Sequence, residues 1–277
     1  MANYATLLTG QATASTKVVF LAYDSLTASP TNKQPLIIFL HGAGECSHIH
    51  DLTSVVRVAN IGLPNLTKFA SLPNFTDPIT AETVHPYIVA PQMYTTVTGA
   101  AGETSAGFQF WTNNYWVPAM DWMIANKNID PERIYICGLS GGSIGTLTAI
   151  TTSTYNDIFA AAFVGCPGYQ AGNDWQYLAD SGLPLWICGA ADDVTPGDNL
   201  HGQRIVDAIN SRGGLYPPKF YYYLSGGHSA GWLRPYVTTE GESYPGFNGV
   251  PCVHTYGFFR WLFQYRRKVR EPRTFGV

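Results

Sequence analysis

Short, almost wholly apolar runs recur along the chain. Leu36-Ile37-Ile38-Phe39-Leu40 is one, and comparable runs cover 17–23, 36–41, 87–91, 133–137, 160–166, 183–189 and 219–224. Continuous apolar strands bounded by turn residues suit a sheet buried on both faces. Longer segments of helical period lie between them, at 115–126, 142–152, 199–211 and 254–267; in the third, Ile205, Val206 and Ile209 share one face. Strands separated by helical crossovers predict an α/β chain with a mostly parallel central sheet and helices on both faces. Residues 47–85, 94–110 and 229–253 keep no such period. They read as long loop insertions in a single domain spanning 1–277, and loops of that length in a compact domain usually serve binding.

One of these junctions carries chemistry. The run Arg133-Ile134-Tyr135-Ile136-Cys137 leads into Gly138-Leu139-Ser140-Gly141-Gly142, and a helical segment follows. A strand, a Gly-x-Ser-x-Gly turn and a helix form the layout in which a serine is held on a sharp, strained elbow above the sheet. Small flanking residues keep the neighbouring chains from colliding. The Gly141 N–H falls at the helix start, where backbone donors and the helix dipole favour an oxyanion. A serine hydroxyl needs a base beside it to act as a nucleophile. The chain order serine, acid, histidine directs the search downstream. The strand at 183–189 runs into Ala190-Ala191-Asp192-Asp193, and Asp192, the first carboxylate past the strand end, is the expected acid, with Asp193 the alternative. The strand at 219–224 runs into Ser225-Gly226-Gly227-His228, which makes His228 the expected base.

A second oxyanion donor is expected from an early strand-to-loop turn. Leu40 leads into His41-Gly42-Ala43-Gly44-Glu45, so the Ala43 N–H is assigned as the partner of Gly141, with Gly44 the alternative. His41 and Glu45 read as groups that hold this loop. Glu45, His48, His50 and Asp51 place four possible metal ligands within seven residues, but with no helical i, i+4 histidine pair they read as solvated loop polarity, and no metal is expected. Of the aromatic residues near these motifs (Tyr94, Trp111, Trp116, Trp175 and Trp232), Trp111 and Trp232 are the candidates for a substrate-binding wall.

Composition narrows the picture. A formal net charge of -3 in 277 residues gives no reason to expect nucleic acid or an anionic membrane as partner. The run Arg266-Arg267-Lys268 is expected to face the dipole at a helix end. Charged residues make up 13%, against an average of about 25%. That deficit, with abundant aromatic, Thr and Asn residues, leans towards a secreted or extracellular protein, although the N-terminus shows no signal-peptide pattern. No apolar stretch is long enough to span a membrane. The five cysteines show no CxxC spacing; Cys137 and Cys188 lie in apolar strand-like runs, and Cys46 and Cys252 are a possible disulfide pair.

The block ending in His41-Gly42-Ala43-Gly44-Glu45 resembles the opening of an esterase and "predicted peptidase" branch of the α/β-hydrolases, a branch similar to polyhydroxyalkanoate depolymerases, feruloyl esterases and acetylxylan esterases. The resemblance continues through Val89-Ala90-Pro91-Gln92, the segment Asn128-Ile129-Asp130-Pro131-Glu132-Arg133-Ile134-Tyr135, the serine elbow, Cys188-Gly189-Ala190-Ala191-Asp192-Asp193-Val194-Thr195-Pro196, Gly227-His228 and Trp261-Leu262-Phe263. It spans about 36–267. It implies the α/β-hydrolase fold, a triad at Ser140, Asp192 and His228, and no cofactor. Position 188 is Cys where the branch usually has His, and the loops at 47–85 and 229–253 are longer than usual. The expected activity is hydrolysis of a small-molecule or polymer-linked carboxylic ester, carbohydrate-linked, aryl or polyester, through an acyl-enzyme on Ser140. The competing expectations are a serine peptidase with the same triad and a non-catalytic glycan-binding module on the same fold.

Overall fold

The computed structural model describes residues 18–47, 53–69, 72, 74–94, 111–152, 154–155, 157–195, 199–214, 216–237, 243–244, 252–253 and 257–267. Seven strands form the main sheet: β1 (Phe20–Tyr23), β2 (Gln34–Leu40), β3 (Tyr87–Pro91), β4 (Ile129–Leu139), β5 (Ala161–Gly165), β6 (Leu185–Ala190) and β7 (Lys219–Tyr223). Their spatial order is β1-β3-β2-β4-β5-β6-β7. Only β1 runs antiparallel to its neighbour; the other pairings in this sheet are parallel. Two short antiparallel ladders lie outside it, Phe75–Thr76 with Thr83–Val84 and Ser243–Tyr244 with Cys252–Val253.

Parallel pairing needs helical crossovers, and these cover both faces. Side chains alternate along each strand. Thus Leu36, Ile38 and Leu40 enter one core with Trp116, Met120 and Met123 of α2 (Asn113–Asn126) and Leu147 and Ile150 of α3 (Gly141–Thr151). Leu178 of α4 (Trp175–Ser181) and Ile205 of α5 (His201–Asn210) complete that face. Ile37 and Phe39 enter the other core with Leu63 of α1 (Gly62–Phe69), Tyr236 of α6 (Ala230–Val237) and Phe258, Phe259, Trp261, Leu262 and Phe263 of α7 (Phe258–Phe263).

The structure departs from the sequence reading at several elements. Helices α1 and α6 sit inside segments expected to be loops. Gly62, Pro64 and Asn65 hide the period of α1, and Gly231 and Pro235 that of α6. The strand expected at 133–137 begins at Ile129. It passes through a bulge, since Gln34 pairs with Ile129 but Leu36 with Ile134, and a bulge is where a strand tolerates a proline such as Pro131. The last helix ends at Phe263, so Arg266 does not serve its dipole. Its guanidinium reaches Asp77 at 3.2 Å and Asp130 at 3.3 Å instead. Cys46 carries a buried free thiol, and the side chain of Cys252 lies outside the described residues. No described helix is long and apolar enough to cross a membrane.

Candidate active site

Ser140 stands between the last residue of β4 and the first of α3, at φ 53 and ψ -120. A non-glycine residue rarely adopts this region and does so where the surroundings enforce it. Here both flanking glycines are required. A Cβ on Gly138 would strike the Gly142 carbonyl, and one on Gly142 would strike the Leu40 carbonyl. The Ser140 N–H donates to the Gly165 carbonyl at the end of β5, 2.9 Å away. The elbow is therefore wedged between β2 and β5, with its hydroxyl at the carboxyl ends of the parallel strands. Gly141 opens α3, so its N–H has no acceptor within the helix.

His228 lies in a single turn of 3-10 helix, Gly227–Ser229, just beyond β7. Its Nε2 is 2.7 Å from Ser140 Oγ. Its Nδ1 is 2.9 Å from Asp193 Oδ2 and 3.1 Å from Oδ1. Carboxylate, imidazole and hydroxyl thus stand in one hydrogen-bonded line, and the carboxylate in it belongs to Asp193, the alternative, and not to Asp192. The reason is the turn after β6. Asp193 N–H bonds back to the Ala190 carbonyl at 3.2 Å, which folds residue 193 inward to 5% exposure and leaves Asp192 facing out. Thr195 N–H donates to Asp193 Oδ1 at 2.9 Å. Asp192 has a different task. Its carboxylate accepts Gly226 N–H at 3.1 Å and Gly227 N–H at 2.8 Å, clasping the loop that carries His228. Gly226 and Gly227 have φ of 124 and 53, so the clasp depends on glycine.

The His41 to Glu45 loop packs beside the elbow: a Cβ on Gly42 would lie 3.4 Å from Ser140 Cβ and 3.4 Å from Glu45 Oε2. Ala43 begins a 3-10 turn, Ala43–Glu45, so its N–H is also free of a helical acceptor and lies on the segment facing Ser140. His41 is fully buried. Its Nδ1 is 2.6 Å from the Gly42 carbonyl, and its Nε2 accepts Met93 N–H at 2.9 Å. Accepting at Nε2 requires the neutral Nδ1–H tautomer, and burial pushes the imidazole down to about 4. His41 is therefore a strut of the loop and not a base. Burial pushes the Glu45 carboxyl up to about 7, against hydrogen bonds from the Gly42 and Glu45 backbone, and its Oε2 has no partner among the described residues.

Trp111 does not line a cleft. It is 3% exposed, its indole N–H donates to the His41 carbonyl at 3.1 Å, and its ring meets the His41 ring edge-on at 4.9 Å. Gly145 of α3 leaves it room, since a Cβ there would press on the Trp111 ring. The indole braces the loop from behind. The side chain of Trp232 lies outside the described residues, as do His48, His50 and Asp51. Among the described residues, one group could hold a metal ion: Cys166, Asp193 and His228, with ligand atoms all within 4.8 Å of one another. Asp193 and His228 are the acid and imidazole of the hydrogen-bonded line, so a cation there would displace that line. Sequence reasoning missed Cys166 altogether; nothing local marks a lone cysteine after an apolar strand.

No family model matches the chain. A stretch of 43 residues, 16% of the chain, is 46% identical to poly(3-hydroxyalkanoate) depolymerase C of Paucimonas lemoignei and spans 10% of that protein. Among solved structures, apo Thermogutta terrifontis esterase 2 superposes with a TM-score of 0.53 at 12% identity, covering 82% of this chain and 86% of that one. This chain has the α/β-hydrolase fold. A Pyrococcus horikoshii acylaminoacyl peptidase shares it, with a TM-score of 0.50 at 13% identity over 77% of this chain and 36% of that one. In an α/β-hydrolase the carboxyl edge of the sheet carries the site, and here that edge holds Ser140, Asp193 and His228.

Proposed function

We propose that this protein is a serine hydrolase that cleaves a carboxylic ester through an acyl-enzyme on Ser140. The observation that carries the reading is the continuous line from Asp193 through His228 to Ser140 Oγ, at 2.9 and 2.7 Å. His228 Nε2 takes the Ser140 proton as Oγ attacks the ester carbonyl. The negative charge moves to the carbonyl oxygen, beside the N–H groups of Gly141 and Ala43. Asp193 holds the Nδ1–H tautomer and stabilises the imidazolium. As the tetrahedral adduct collapses, the imidazolium gives its proton to the leaving alcohol. Water, deprotonated by the same imidazole, then attacks the acyl-Ser140 ester and releases the acid.

An ester is preferred to an amide on two grounds. The sequence match is to a depolymerase that by name acts on a polyester, and the solved structure matched over most of both chains is an esterase. The substrate class is then a small-molecule or polymer-linked ester. The test compares p-nitrophenyl acetate with peptidyl p-nitroanilides, alongside labelling by a fluorophosphonate probe. Ester turnover and labelling, both lost in Ser140→Ala, are expected. Amide turnover equal to ester turnover would make the protein a peptidase. Neither turnover nor labelling would leave a non-catalytic binding module.

A further inference from the structure

The carboxyl end of β5 touches every part of the site. The Gly165 carbonyl holds the Ser140 N–H. The next residue, Cys166, is 2% exposed and sits at φ 48, a region a residue with a Cβ seldom occupies. That conformation is imposed by neighbours: Cys166 N–H donates to the Cys188 carbonyl at 2.7 Å, across the strand pair. It turns the side chain under the acid. The sulfur, an Asp193 carboxylate oxygen and a His228 ring nitrogen all lie within 4.8 Å of one another. The sulfur therefore faces the Asp193 carboxylate, and Gly231 packs against it from the other segment. The packing is close: a Cβ on Gly231 would lie 2.9 Å from Cys166 Sγ and 3.0 Å from Cys166 N. Gly231 belongs to the helix that leaves the His228 turn, so this contact reaches the third segment of the site.

We infer that Cys166 is a positioning residue, whose S–H donates to the Asp193 carboxylate and, together with Thr195 N–H, fixes the acid against His228. Burial and the charge of Asp193 both keep the thiol protonated, far above its ordinary range. A protonated thiol suits the task, because it supplies a donor without adding charge beside the imidazole. It is also too short of charge and exposure to compete with Ser140 as a nucleophile. The consequence for turnover rests on the hydrolase reading; the contact itself does not.

The experiment therefore reads both. Cys166→Ala and Cys166→Ser are compared with the unaltered protein by ester kinetics and by the low-field proton resonance of His228 Nδ1–H, which needs no substrate. In Cys166→Ala, kcat is expected to fall about tenfold, from misplacement of the acid, with KM almost unchanged. The Nδ1–H resonance is expected to move, since its acceptor has lost a donor. Cys166→Ser keeps a donor and is expected to restore most of both. An unmoved resonance with unchanged kcat in a folded Cys166→Ala overturns the inference. If that variant does not fold, Cys166→Ser decides, and a displaced resonance in a folded serine variant overturns it. Should the unaltered protein cleave no ester while the resonance moves in alanine and returns in serine, the hydrolase reading fails and the positioning role stands.

Discussion

At the scale of single residues, two adjacent aspartates have separate tasks. Asp193 accepts the Nδ1–H of His228, and Asp192 accepts two glycine N–H groups of the loop that carries it. Both are acidic and both follow β6, so the difference lies only in where the turn aims them. Asp193→Asn is expected to lower kcat by about 10⁴-fold, because an amide in that place favours the wrong imidazole tautomer. Asp192→Asn keeps one of the two acceptors of the glycine clasp and is expected to lose no more than about tenfold. Steady-state kinetics on one ester compares them, and equal losses would dissolve the distinction.

At the scale of elements, the His41 to Glu45 loop holds two titratable groups neutral by burial. Glu45 is held up at about 7 and His41 down at about 4. Stability that depends on neutral Glu45 is fully present below the ordinary carboxylate value of 4.5 and is lost as pH rises through about 7. Stability that depends on neutral His41 is present above 6.5 and is lost as pH falls through about 4. Together they predict a broad optimum centred between these limits. Glu45→Gln removes the loss on the alkaline side and leaves the His41 gain, so its Tm is expected to rise relative to that of the unaltered protein between about pH 5 and about pH 8. Thermal scans across that range check this, and identical pH dependence would show that Glu45 is not held neutral. The elbow is the other element under constraint. Gly142→Ala sets a methyl against the Leu40 carbonyl, so urea unfolding is expected to register a loss of at least about 2 kcal/mol.

At the scale of the whole molecule, a buried ion network fastens the segment after α7 to the sheet. Asp77, with no side-chain exposure, meets Arg133 at 3.4 Å and Arg266 at 3.2 Å, and Asp130 meets the same arginines at 2.6 and 3.3 Å. Tyr135 of β4 donates to the Tyr265 carbonyl at 2.8 Å beside them. Asp77 also caps the turn at Ile79 and Thr80 through their N–H groups. Removing one partner of such a cluster leaves a buried charge uncompensated. Asp77→Ala is expected to destabilise the fold by about 3–5 kcal/mol by chemical denaturation. Arg266→Ala, whose guanidinium is 28% exposed and leaves Asp77 paired with Arg133, is expected to lose clearly less.

The sequence by itself determined the layered α/β architecture, the elbow and the histidine, because each leaves a local mark. Apolar runs set the strands, Gly138 and Gly142 flank a serine that no other spacing would suit, and His228 follows its strand within a few residues. Helices α1 and α6 left no such mark, since their glycines and prolines break the period that tertiary packing then restores. Only the tertiary structure decided which aspartate faces the imidazole, that Trp111 braces a loop instead of lining a cleft, and that Cys166 lies under the acid. Each of these depends on contacts between segments distant in the chain, and on the direction in which a single turn points a side chain, which residue order does not encode locally.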